Sequence, residues 1–243
     1  MMNMQDTGTS LGNRIQSLDW ERTEKDLLEQ GFAILPQLLT AAECSFFRAR
    51  YDDESLYRKQ VFMARHGYGE GDYRYYRYPL PDPLQALRHT SFPYLAHTAN
   101  EWAKRLQRDV IFPENHEEFQ KLCHGLGQLR PTPLILKYTA GGYNRLHQDL
   151  YGEVYFPFQM AVLLSQPGEE FEGGEFVLVE NRPRMQSRPR VIPLRRGDAV
   201  VFAVNERPQL GKTGYHKVSL RHGVSDVTAG TRYTLGVIYH DAL

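Results

Sequence analysis

The chain is poor in the residues that staple or anchor a protein. Its two cysteines, Cys44 and Cys123, cannot build a disulfide framework and fit a reducing interior, so a cytoplasmic protein is expected. No apolar run approaches the roughly 20 residues that span a bilayer. Met1 to Ser10 is polar and lacks the basic-then-apolar layout of a secretory signal. Neither sign of charge is in excess, with 29 Lys plus Arg against 29 Asp plus Glu. That balance excludes a protein whose whole surface grips nucleic acid, since phosphate binding needs concentrated positive charge. A local patch is compatible with it: Arg182, Arg184, Arg188, Arg190, Arg195 and Arg196 fall within fifteen residues. Internal repeats and low-complexity segments are absent. What remains is an ordinary globular mix, 41% hydrophobic and 24% charged over 243 residues, enough for one substantial core or at most two small domains.

Residues 1–19 read as a flexible tail and 20–243 as one domain. Trp20 to Gln30 has a helical pattern that Gly31 stops, and Phe32 to Leu35 reads as a short strand ended by Pro36. Thr40 with Glu43 is a capping-box pattern, and the helix it opens should carry Phe47 and Tyr51 on one face. Asp82 to Arg108 and Pro113 to His124 read as further helices. From about Leu129 short β-rich runs appear: 133–138, 158–164, 175–179, 199–204, 214–220 and 232–239. They are separated by Gly141-Gly142, Gly173-Gly174, Gly197-Asp198, Gly230 and a Pro/Arg-rich loop from Arg182 to Arg190. Such spacing predicts an antiparallel sandwich or jelly roll. Helices first and sheet afterwards give an α+β architecture, with 20–128 as helical buttress and lid and 129–243 as jelly-roll core.

The sharpest chemical feature is Tyr143-Asn-Arg-Leu-His147-Gln-Asp149. Residues i and i+2 of an extended strand project to one side, so His147 and Asp149 can aim at one point. An imidazole and a carboxylate are two of the three ligands of the facial triad that holds Fe(II) and leaves positions open. Alone, His-x-Asp also suits a hydrogen-bonded loop pair. Some seventy residues later His222 supplies a second imidazole, and Arg232 follows ten residues beyond it. A turn near Gly230 should bring these two together on adjacent strands. The Arg fork suits bidentate capture of a carboxylate.

This order resembles the Fe(II)/2-oxoglutarate-dependent oxygenase superfamily over roughly the last 110 residues. Glu-Asn-Arg-Pro-Arg-Met-Gln-Ser (180–187), Arg-His-Gly-Val-Ser (221–225) and the closing Gly236 to Asp241 resemble a bacterial branch described, on AlkB-like grounds, as oxidising alkyl groups on damaged DNA. The resemblance implies a double-stranded β-helix core, with Fe(II) on His147, Asp149 and His222. It implies 2-oxoglutarate and O₂ as co-substrates, and Arg232 on the distal carboxylate of 2-oxoglutarate. Tyr138 sits where AlkB-like enzymes place a tyrosine on that carboxylate, and Thr234 takes a position that there carries an Asn. Two positions depart: Leu136 replaces an Asn, and Ile238 replaces a second Arg. The run Phe171-Glu-Gly-Gly-Glu175-Phe is reminiscent of prolyl-hydroxylase-like members.

Three functions follow from these readings. The first is an oxygenase that demethylates alkylated nucleobases, with alkylated single-stranded DNA as partner. Another is a hydroxylase of a protein side chain or small metabolite. The third is a cupin-like binding module without catalysis, against which Arg232 argues. His216 fits the spacing poorly and reads as a structural or pocket-edge residue. His66, His89, His97, His116, His124 and His240 read as surface or hydrogen-bonding residues. Arg65 to Pro79 interleaves aromatics and arginines, and reads as a Gly-hinged lid or a packed Tyr-rich loop ahead of a base-stacking surface. The arginines from 182 to 196 read first as solvated.

Overall fold

The computed structural model describes residues 10–182 and 184–243. Helix α1 (Leu11–Gln16) is capped by the Ser10 hydroxyl, which accepts from the Asn13 amide, and it buries Leu11 and Ile15. It packs on a later long helix, so residues 10–19 are part of the fold and not the tail that polarity suggested. Residues 1–9 of that expected tail lie outside the described residues. Helix α2 (Trp20–Gln30) ends at Gly31 (φ 81°), a left-handed position that glycine takes without a Cβ penalty. Strand β1 (Phe32–Leu35) follows directly. Helix α3 (Ala41–Ala49) carries the complete Thr40/Glu43 capping box. It stops before Tyr51, although Phe47 and Tyr51 are both buried.

Strands β2 (Tyr57–Phe62), β3 (Gly69–Glu70) and β4 (Asp72–Tyr76) occupy the stretch expected as helical buttress and lid. Within it, β4 pairs along its length with β5 (Leu134–Thr139), and β3 pairs with β6 (Tyr143–His147). The Tyr-rich segment is therefore sheet rather than a hinged cover, because β4 is hydrogen-bonded to β2 on one side and to β5 on the other. Helices α4 (Asp82–Arg105) and α5 (His116–Gly125) complete the buttress, α4 three residues shorter than expected at its C-terminal end.

The remaining strands are β7 (Phe158–Leu163), β8 (Phe171–Gly173), β9 (Phe176–Asn181), β10 (Arg188–Ile192), β11 (Ala199–Ala203), β12 (Glu206–Gly211), β13 (Gly214–Val224) and β14 (Val227–Ile238). The larger sheet runs β1-β11-β7-β14-β5-β4-β2, with β8 also on β14; the smaller runs β10-β9-β13-β6-β3, with β12 also on β13. All these pairings are antiparallel, giving the expected α+β jelly roll. β10 forms where a Pro/Arg-rich loop was expected. Pro189 is tolerated because β10 is an edge strand, where a missing N–H breaks no inner ladder. Pro183 of that loop lies outside the described residues.

A buried ion pair ties helix α4 to the sheet. Arg88 of α4 donates to the carbonyls of Ile238 and Tyr239 at 2.9 and 2.8 Å and meets Asp241 at 2.6 Å. Tyr78, Gln120 and His124 complete the shell around the Asp241 carboxylate. With every partner satisfied, loss of either member would leave a bare buried charge, a cost of about 3–5 kcal/mol. His240, beside it, accepts from the Phe156 amide at Nδ1, and His116 contacts the Tyr239 carbonyl at 2.8 Å. Burial, reinforced by the Arg88 charge, pushes His116 down to about 2 and His240 down to about 4.

Both histidines therefore fold in the neutral form, whereas the unfolded chain takes up protons near pH 6.5. Stability should be complete above that pH and fall as pH drops toward the folded values, by about 1.4 kcal/mol per pH unit for each histidine. Urea midpoints measured from pH 7 to 5 should fall in wild type and fall less steeply in His116→Gln. Superimposable profiles for the two proteins would show that His116 does not titrate on unfolding.

Candidate active site

Strands β13 and β14 are consecutive but enter different sheets. The connection lies at Ser225 and Asp226, not at Gly230, which sits within β14 opposite Phe171. His222 and Arg232 thus face each other across the barrel instead of along one ladder. In the smaller sheet His222 is the direct cross-strand partner of His147, and their ring centroids lie 4.2 Å apart. Directly paired residues project to the same face, so both imidazoles enter the space between the sheets. Asp149 follows the end of β6 and is not itself in a strand. Its Oδ2 lies 3.4 Å from His222 Nε2, and its Oδ1 lies 3.6 Å from His147 Nε2. One ligand atom from each of the three residues falls within 4.8 Å of the others.

The surroundings hold these groups in ligand form. His147 Nδ1 lies 2.7 Å from the Arg145 carbonyl and donates to it, which leaves Nε2 with its lone pair toward the cluster. His222 packs against Phe202 and Phe176, and burial with the neighbouring His147 lowers its pKa, which favours the neutral ring. Burial would raise the pKa of Asp149, but the His222 contact and the Tyr151 hydroxyl, 2.7 Å from Oδ1, hold it well below the usual carboxylate range. Two imidazoles and one carboxylate are a donor set suited to divalent iron.

Arg232 is almost fully buried, and among the described residues it has no carboxylate partner. Its Nη1 donates to Thr234 Oγ1 at 2.5 Å, while its Nε has no acceptor. Burial lowers its pKa to about 10, against the favourable influence of Tyr138 and Glu175. The Tyr138 hydroxyl is buried beside it and likewise unsatisfied. A buried guanidinium and an idle phenol are costly unless an anion completes them, and a small carboxylate is the matching acceptor. Gly174 makes the placement possible: at φ 63°, a Cβ there would stand 2.8 Å from both Arg232 Cδ and Val227 Cγ2.

All six expected residues, His147, Asp149, His222, Arg232, Tyr138 and Thr234, line one cavity of about 550 Å³ between the sheets. His216 lies exposed on β13 opposite Gln209 and takes no part. Among the described residues, His147, Asp149 and His222 form the cluster able to hold a metal ion.

A family model described as an oxygenase catalysing oxidative methylation of damaged DNA matches residues 71–242. The chain belongs to this oxygenase family. An uncharacterized protein of Mycobacterium tuberculosis is 41% identical over 164 residues, 68% of this chain and 70% of that one. The fold is shared more widely. A prolyl hydroxylase from Trichoplax adhaerens, solved with a hypoxia-inducible-factor peptide, aligns at TM-score 0.54 and 13% identity, covering 97% of this oxygenase and 94% of that chain. A Pseudomonas putida prolyl-4-hydroxylase aligns at TM-score 0.51 and 13% identity over 92% and 100% of the two chains. The α-ketoglutarate-dependent epimerase SnoN aligns at 0.52 and 16% over 91% and 83%. Membership sets aside the reading as a binding module without catalysis.

Several contributors to this oxygenase's site were not among the candidate site residues, although Tyr73 and Tyr75 fall in the Tyr/Arg-rich stretch read as a lid or packed loop. Tyr151 braces Asp149, and its own hydroxyl lies 3.4 Å from that of Tyr75. Tyr73 and Tyr75 reach the cavity from β4, some seventy residues before the His/Asp/His cluster. Gln148, between two cluster residues, instead donates away to Asn205 and the Leu220 carbonyl, anchoring the turn that aims Asp149.

Asp149→Ala and His222→Ala should each abolish turnover and lower Fe(II) or Co(II) affinity, read by calorimetry. Tyr151→Phe should lower metal affinity by about 10–100-fold while leaving the fold intact. Wild-type affinity in all three would remove the cluster from the metal role.

Proposed function

We propose that the protein is an Fe(II)- and 2-oxoglutarate-dependent dioxygenase that removes alkyl groups from nucleobases of damaged DNA. The observation that carries the cofactor reading is the single cavity joining a His/Asp/His cluster to a buried arginine with no counter-ion. Family membership supports the substrate class.

In this reading His147, Asp149 and His222 hold the iron, and Arg232, Thr234 and Tyr138 take the distal carboxylate of 2-oxoglutarate. Bound iron with 2-oxoglutarate and O₂ supplies decarboxylation to succinate and CO₂, paired with insertion of one oxygen atom into a substrate C–H bond. The chain's own work is positioning. Arg232 offers a preorganised fork, so the co-substrate pays little to be oriented. Phe176, Phe202 and Met160 line the cavity with apolar surface and keep water from the reacting end. Tyr68, Tyr73 and Tyr75 line its other side with flat rings that suit a planar base. Hydroxylation of an N-methyl group on that base gives a hemiaminal that releases formaldehyde. Two buried free thiols, Cys44 and Cys123, suit a reducing compartment such as the cytoplasm; among the described residues no helix is long and apolar enough to cross a membrane.

A second reading, hydroxylation of a protein side chain or small metabolite, rests on Leu136 and Ile238. Both line the cavity, where AlkB-like enzymes carry polar residues.

Arg232→Ala should raise the apparent KM for 2-oxoglutarate by about 100-fold, the worth of a buried charged hydrogen bond. Gly174→Ala should weaken 2-oxoglutarate in the same direction by displacing Arg232. An unchanged KM in both would take Arg232 out of that role. The substrate is tested by succinate formation from iron-loaded protein with and without methylated single-stranded oligonucleotide, with Asp149→Ala as control. Stimulation with formaldehyde released in step supports demethylation. An Asp149-dependent background that the oligonucleotide leaves unchanged transfers the assignment to the second reading.

A further inference from the structure

The arginines between 182 and 190 belong to none of the machinery above. In the smaller sheet, Glu180 on β9 is the direct cross-strand partner of Arg188 on β10 and of Leu220 on β13. Direct partners share a face, so the Glu180 carboxylate and Arg188 project to the same side, with Arg190 two residues along. Arg207 joins from β12, buried and also bound to the Leu28 carbonyl at 3.0 Å. Four guanidiniums, those of Arg182, Arg188, Arg190 and Arg207, thus gather around one carboxylate.

That carboxylate is already used. Oε2 of Glu180 meets Arg207 at 2.7 Å, and Oε1 meets Arg182 at 2.6 Å. Among the described residues Arg188 and Arg190 have no acidic partner, and Arg190 Nε is buried with no hydrogen-bond acceptor. Burial, together with Arg188, Arg207 and Arg182, depresses the pKa of Arg190 despite Glu180, the mark of a surplus of positive charge. The chain as a whole is neutral, so this surplus is a local concentration and not a general trend. It is also accessible, because β10 is the outer strand of its sheet and Arg184 and Arg188 are exposed.

We propose that Arg182, Arg188 and Arg190 form a phosphate-binding site separate from the oxygenase cavity. Planar forks at a sheet edge, with one fork held by Glu180 and two without acceptors, match the several oxygens of a phosphoryl group better than any single carboxylate. The site lies within reach of the cavity. Arg190, Leu178, His222 and His147 form one cross-strand row, which puts Arg190 roughly 10 Å from His222, two strand spacings away. A phosphate held there would belong either to the backbone of a nucleic acid or to a free phosphate or nucleotide.

The test uses the full chain without measuring turnover, so its failure leaves the oxygenase reading untouched. Thermal shift with inorganic tripolyphosphate, against sodium chloride of equal ionic strength, probes free phosphate. Fluorescence anisotropy with an unmodified, labelled single-stranded thymidine oligomer, titrated with salt, probes the backbone. Arg188→Gln and Arg190→Gln are compared with Arg22→Gln, an exposed arginine elsewhere. Arg188 is exposed, so its replacement reads the site even where Arg190→Gln disturbs folding.

Tripolyphosphate should raise the melting temperature, and Arg188→Gln should weaken its binding by about tenfold while Arg22→Gln does not. Oligomer binding that also weakens, with a salt slope shallower by about one per arginine removed, assigns the site to nucleic acid. Tripolyphosphate binding without oligomer binding assigns it to a free phosphate or nucleotide. Equal affinity in wild type and both site variants, or no effect beyond chloride, overturns the site.

Discussion

The site depends on the register of β13 against β6. That pairing sets His222 opposite His147 and turns both rings to the inner face. A slip of β13 by one residue would turn His222 to the outside and leave His147 without its partner, because side chains alternate along a strand. The register is held from the other side as well, since β13 pairs over six residues with β9, from Ser219 against Asn181 to Val224 against Phe176. Phe176 and Phe202 then pack on the His222 ring, so the apolar core that stabilises the barrel also orients a member of the cluster.

Arg232 reaches the same cavity by a different route. β14 lies in the middle of the larger sheet, paired with β5 on one side and β7 on the other. Arg232 is the direct partner of Tyr138, which accounts for two unsatisfied donors standing side by side. The two sheets therefore divide the work, the smaller one presenting the His/Asp/His cluster and the larger one the guanidinium. Such a division keeps both halves rigid, because each side chain springs from a strand hydrogen-bonded on both edges or capped by a bound turn. The same logic explains the role of Gly174: a Cβ at that point would press on Arg232 from the strand entry opposite.

The helices serve this arrangement at a distance. Arg88 and Asp241 lock α4 to the end of β14, and the surrounding tyrosine, glutamine and histidine shell leaves neither charge bare. Arg88 also binds the carbonyl of Ile238, a residue of the cavity wall, so the shell fixes the C-terminal end of the strand that carries Arg232. Electrostatics differ sharply between the places where charge is buried. At Asp241 and Glu180 each carboxylate is met by arginine, whereas Arg232 is left without an anion. The imbalance at Arg232 is what a co-substrate carboxylate would relieve.

Much of this was legible from residue order alone. His147, Asp149, His222 and Arg232 stand out because few residue types ligate metals or grip carboxylates, and their spacing is short enough to constrain geometry. Helix α2, strand β1 and the capping box of α3 were readable because their stop and start signals are local. Three things were decided only by tertiary structure. Residues 11–16 form a helix because Leu11 and Ile15 find a buried surface on α4, a partner some seventy residues away. The Tyr-rich segment became strand β4 because β5 offered it a free edge, which no local pattern announces. His222 and Arg232 meet across two sheets, not along one hairpin, because the chain changes sheet at Ser225 and Asp226. Residue types name the chemistry, since that chemistry resides in single side chains; long-range strand pairing decides where the side chains point, since it is set by partners distant in the chain.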